Sequence, residues 1–131
     1  MSRRKKAIII ILIGVVLLVI AGVFYFAQAT RNLEVLVDRQ IDDINLSEVL
    51  DGRYEGRYDS FPISVIVAVT VKDGEITKID ILRHVSGQGG PGEAILDKIV
   101  KAQSLDVDVI SGATYSSKVI LLAIENAFRG K

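Results

Sequence analysis

Residues Ala7 to Ala27 read AIIIILIGVVLLVIAGVFYFA, 21 positions without a charged side chain. As a helix rising about 1.5 Å per residue, this stretch covers the roughly 30 Å of a bilayer's hydrocarbon core. Arg3, Arg4, Lys5 and Lys6 stand directly before it, and no acid precedes it. Short basic flanks stay cytoplasmic, so residues 1–6 are expected inside, 7–27 as a transmembrane anchor in the lipid bilayer, and the remainder outside. A cleaved signal peptide is the rival, because Ala27-Gln28-Ala29 has the small-residue pattern of a cleavage site. The apolar run is longer than the roughly 7–15 residues of a signal-peptide core, which favours the single-pass anchor in the cell membrane. Either reading exports the rest of the chain.

The formal charge of zero conceals an asymmetry. Four of the 16 basic residues precede the apolar run while all 16 acids come after it, so the exported part carries a net charge of −4. It has no basic stripe, and nucleic acid is excluded as a partner. The absence of cysteine removes disulfides, thiolate metal sites, iron–sulfur ligation and CxxCH haem attachment. A single histidine, His84, leaves little material for a transition-metal site, and no metal is expected.

Residues 28–50 are mixed and charged, with Leu33, Leu36, Val37, Ile41 and Ile44 at spacings that suggest a short amphipathic helix or a stalk. From residue 51 the pattern changes. Ile63, Val65, Val67, Val69 and Val71 alternate along one face of an extended chain. Asp73-Gly74 is a hairpin turn signal before a second β-rich run ending at His84. With Tyr54 and Tyr58 in an earlier strand-like run, three antiparallel strands are predicted. The glycine-rich VSGQGGPG, Val85 to Gly92, leads to a helix over about 93–103 with Ile95, Ile99 and Ala102 on its stripe. A last helix is predicted from Tyr115 or Ser116 to Phe128, its core stripe Ile120, Ala123, Ile124, Ala127 and Phe128. Strands succeeded by helices describe an α+β domain over residues 51–131, the helices packed on an antiparallel sheet.

Before that last helix stands DVISGATYSS, Asp108 to Ser117. Its hydroxyls suit a helix N-cap, and its glycine suits a turn. The same hydroxyls suit presentation for chemistry. From Asp51 to Phe128 the chain resembles the FMN-binding domain family, which includes the flavin subunits of membrane-bound electron-transport complexes and many small extracytoplasmic flavoproteins. The resemblance rests above all on Asp-x-x-Ser/Thr-Gly-Ala-Thr, here Asp108-Val109-Ile110-Ser111-Gly112-Ala113-Thr114. It implies that an Mg-dependent FAD:protein FMN transferase attaches FMN through a phosphoester to Thr114. Asp108, Ser111, Gly112 and Ala113 would then form the recognition sequence.

A Thr hydroxyl is a poor nucleophile without a base or a metal, and this segment offers no base, which fits modification by another enzyme. The phosphate would lie near the N-terminus of the last helix, where free N–H groups favour an anion. Gly89 and Gly90 are candidates for close approach to the flavin. His84 is a candidate contact or an ordinary solvated or loop-bonding histidine. Family members often carry a Thr-Pro-Gly-type segment after the strand-end histidine, and this chain departs from that pattern.

The expected protein is therefore an electron-transfer flavoprotein rather than a complete enzyme, taking electrons from a membrane electron-transfer subunit or quinone-linked donor. The alternatives are a non-redox anchored assembly subunit of the same fold and a non-covalent FMN binder.

Overall fold

The computed structural model describes residues 1–85 and 90–129, in two compact units, Met1–Asn32 and Leu33–Lys131. The first unit is helical from Arg3, as the opening part of α1 (Arg3–Asp38). Its large apolar side chains, Ile8 through Phe26, are exposed, and the helix is long and apolar enough to cross a membrane.

The second unit is built on a three-stranded antiparallel sheet in the order β1 (Gly52–Ser60), β2 (Ile63–Lys72), β3 (Glu75–Val85). Asp73 and Gly74 both take positive φ, 52° and 75°, the two-residue turn that matches the twist of its flanking strands. Val65, Val67, Val69 and Val71 are buried on one sheet face, as their alternation predicts. The opposite face carries exposed ion pairs such as Arg53–Asp80 and Arg57–Asp59. One apolar and one solvated face is the usual condition of an antiparallel sheet.

Against the apolar face lies α3 (Thr114–Arg129). Gly56 of β1 makes this contact possible, because a Cβ there would stand 2.0 Å from the Ala123 carbonyl oxygen and 2.5 Å from the Ala127 nitrogen. The expected stripe of α3 is buried apart from the half-buried Phe128, but Val119, Leu121 and Leu122 are buried as well. From Val119 to Ile124 the helix is buried all round, so more than the sheet must cover it. Leu33, Leu36, Ile41, Ile44, Leu46 and Val49 pack into the same core, so residues read from sequence as a stalk contribute to packing.

Two acids fasten this segment. Glu125 Oε2 accepts the Asp42 N–H at 3.0 Å, and Asp43 accepts the Leu105 N–H at 2.9 Å and the Ser104 hydroxyl at 2.6 Å.

The helix predicted over 93–103 forms in two pieces, a 3-10 turn at Gly90–Ala94 and α2 (Ile95–Ala102). Ile95 and Ile99 are buried, whereas Ala102 is exposed. The Gln103 side chain then accepts from the Ile76 N–H at 2.6 Å and donates to the Ile76 carbonyl at 2.9 Å, pairing one residue of the β3 edge.

Candidate functional site

Asp108 to Ile110 approach α3 as extended, partly exposed chain, and the next turn is closed by the Ala113 N–H donating to the Ile110 carbonyl at 2.9 Å. Gly112 occupies the turn's left-handed position, φ 80°, which an L side chain adopts only with strain. A Cβ at Gly112 would meet nothing within 4 Å, so the space beside the turn is open.

The four serine and threonine hydroxyls around this turn divide into two pairs. Ser117 and Ser116 are buried and engaged. The Ser117 hydroxyl oxygen accepts the Ile110 N–H at 3.1 Å, tying the helix back to the turn, and Ser116 Oγ lies 3.2 Å from His84 Nε2. Ser111 and Thr114 are exposed, and neither hydroxyl bonds to any group among the described residues.

Thr114 is the first residue of α3, one position past the place a capping hydroxyl occupies. Ala113 holds the cap position instead, its carbonyl accepting the Ser117 N–H at 2.9 Å. The first turn of a helix leaves its N–H groups without intrahelical partners, here those of Thr114, Tyr115 and Ser116. A hydroxyl without a partner among the described residues, beside N–H donors that have no intrahelical acceptor and the positive end of a helix dipole, suits an anionic group.

Of the residues singled out from sequence, Ser111, Gly112 and Ala113 lie in this turn, Asp108 in the extended chain before it and Thr114 at the start of α3, with Ala113 alone buried among them. Gly90 opens the 3-10 turn and is exposed, and Gly89 lies outside the described residues. Gly92, not singled out as a site, seats that turn on α3: a Cβ there would stand 3.0 Å from the Ser116 Cβ and 3.3 Å from the Ser117 nitrogen.

His84 sits opposite Val65 on the sheet, with a side chain only 6% exposed. Its Nδ1 is 3.0 Å from Glu93 Oε1, completing an acid–histidine–serine line across β3, the 3-10 turn and α3. Such a line suggests a hydrolase nucleophile, but Ser116 is 2% exposed and closed to an external substrate. No group of three His, Asp or Glu side chains able to hold a metal occurs among the described residues.

A cleft of about 590 Å³ is lined by Asp42, Val49, Tyr54, Glu125, Phe128 and Arg129. These include the last residues of α3, and a 16-residue helix is about 24 Å long, so the cleft lies at the far end from Thr114.

Comparison with known proteins adds two findings. The family described as "FMN-binding domain" matches residues 59–129, just over half of the chain. An uncharacterized protein of Treponema pallidum (strain Nichols) is 33% identical over 82 residues, 60% of this chain. The chain spans 23% of that relative's length.

Proposed function

The chain belongs to the FMN-binding domain family, and from that premise we propose that it is a membrane-anchored, extracytoplasmic flavoprotein carrying FMN covalently on Thr114. The observation that carries this reading is the exposed Thr114 hydroxyl, unbonded among the described residues, at the first position of α3 and the end of the Asp108–Thr114 motif.

The residues present fit the group. Gly112 turns the chain without a side chain and leaves the approach open, while Ser117 fixes the turn from below. In the attachment, the Thr114 oxygen bonds to the FMN phosphorus of FAD and the bond from that phosphorus to the AMP half breaks. AMP leaves, the hydroxyl proton passes to a base on the transferase, and no electrons are exchanged. The N–H groups of the first turn, which lack intrahelical acceptors, would hold the phosphodiester anion.

When bound, FMN supplies the one- and two-electron chemistry, and the protein supplies attachment and placement. The relay runs from a membrane electron-transfer subunit or quinone-linked donor to an external acceptor. The orientation is set by Arg3–Lys6 on the cytoplasmic side.

The test is co-expression with the Mg-dependent transferase. Thr114→Ala is expected to yield a chain that is colourless after denaturation, and Thr114→Ser one that regains part of the flavin. Full flavin retained on Thr114→Ala after denaturation refutes the assignment.

A further inference from the structure

The helix α3 opens Thr114-Tyr115-Ser116-Ser117-Lys118, with no acid in its first turn and a lysine directly after it. This reverses the usual arrangement, because the positive end of a helix dipole favours carboxylates and disfavours an ammonium. Lys118 has no hydrogen bond or ion pair among the described residues, and neither has Asp108, the acid of the motif. An anion supplied from outside the amino-acid chain would answer both the dipole and the lysine.

The spacing places Lys118 to meet such an anion at Thr114. Four residues apart, the two lie about 40° from each other around the axis and one turn apart along it, their Cβ atoms about 5–6 Å from each other. Helical side chains lean toward the N-terminus, so the lysine stem passes over the turn that carries Thr114. Thr114 is exposed and Lys118 half-buried, whereas Ser116 and Ser117 between them face inward and are buried. A lysine ammonium is a compact charge on a flexible four-carbon stem, suited to an anion on the neighbouring turn.

Resting on the attachment at Thr114, we propose that Lys118 is the side-chain ligand of the flavin phosphate: its ammonium pairs with the phosphodiester oxygens while the first-turn N–H groups bind them from the backbone. A lysine that only solvates the surface would not respond to the flavin.

The experiment compares the full chain in detergent with bare Thr114 and after co-expression with the transferase. Both are acetylated briefly with an amine-reactive ester, at low salt and at 1 M salt, and the lysines are read by peptide mass. His84, beside Ser116, marks the end of the sheet nearest the start of α3. Lys72, exposed at the other end of β2 from the Val65–His84 pair, is therefore the internal reference. FMN is expected to slow acetylation of Lys118 about threefold or more relative to Lys72 at low salt, and 1 M salt to remove most of that protection. Unchanged acetylation of Lys118 overturns the proposal. So does protection that 1 M salt leaves intact, which would mark a ring covering the amine rather than an ion pair.

Thermal unfolding supplies a second readout. The gain in Tm on flavin attachment is expected to shrink by about 2–5 °C in Lys118→Gln and to survive in Lys118→Arg. An equal gain in Lys118→Gln overturns the pairing. Intact mass separates the two readings: a wild-type chain with no added FMN fails the attachment itself, and a chain with FMN but an indifferent Lys118 fails only the role of the lysine.

Discussion

Gly56→Ala tests the contact that positions α3, and with it Thr114. The added Cβ would lie 2.0 Å from the Ala123 oxygen, 2.5 Å from the Ala127 nitrogen and 2.8 Å from the Ala127 Cα. Non-bonded carbon contacts settle at about 3.5–4.0 Å, so β1 and α3 must separate by more than about 1 Å. All three clashing atoms are backbone, and no rotamer change relieves them. Overpacking of a core costs about 1–3 kcal/mol, and a clash that only movement of whole elements can relieve belongs near 3. For a domain of this size each kcal/mol lowers Tm by about 4–8 °C, which gives a fall of about 12–24 °C.

The assay is thermal unfolding of the full chain in detergent, tracked by tyrosine fluorescence. Tyr54 packs on Phe128 with ring centroids 5.4 Å apart, so one reporter sits at the β1–α3 contact. A Tm within about 3 °C of wild type would refute the reasoning. So would rescue of Gly56→Ala by Ala127→Gly, because removing a side chain cannot relieve a clash with backbone.

Partial burial works to raise the Asp43 carboxyl, but the Ser104 hydroxyl and the Leu105 and Ile44 N–H groups outweigh it and hold the group below its ordinary value of 3.8. A depressed carboxylate contributes stability above its unfolded value, and that contribution is lost as pH falls through the lower folded one. Unfolding measured against pH should therefore show the domain weakening below about pH 4, and Asp43→Asn should cost about 1 kcal/mol at pH 7, the exposure of this residue limiting the figure. Gly92→Ala places a Cβ 3.0 Å from the Ser116 Cβ, so a loss of about 1 kcal/mol is expected in denaturant melts, with slower flavin incorporation by mass. Replacing Arg3, Arg4, Lys5 and Lys6 with Glu should reverse the chain in the membrane and leave Thr114 unmodified, as protease protection and intact mass would report.

The Asp73-Gly74 turn, the alternating face of β2 and the apolar period of α3 were legible because each is a local pattern with one structural solution. The Asp108–Thr114 motif was legible as a string of residue types. Its geometry was less so: periodicity starts α3 at Tyr115 or Ser116, whereas Thr114 is already helical and Ala113 occupies the cap. Hydroxyls favour caps on average, but here Ser117 holds the turn from inside the helix and frees Thr114 from that duty.

The His84–Glu93–Ser116 line was not legible, since Ser116 lies 32 residues from His84 and only the docking of α3 on the sheet joins them. One signal was present: His84 falls opposite Val65, on the core-facing alternation. The packing of residues 33–49 was also hidden. Their spacing shows an apolar face but not its partner, and the unbroken apolar run Val119–Ile124 of α3 was the clue that something must cover it.

The most direct test of covalent attachment is the intact mass of the denatured wild-type chain after co-expression with an FAD:protein FMN transferase. A gain of one FMN less one water, mapped to the peptide that contains Thr114, is the predicted result. An unmodified chain, or flavin on any other residue, would contradict it.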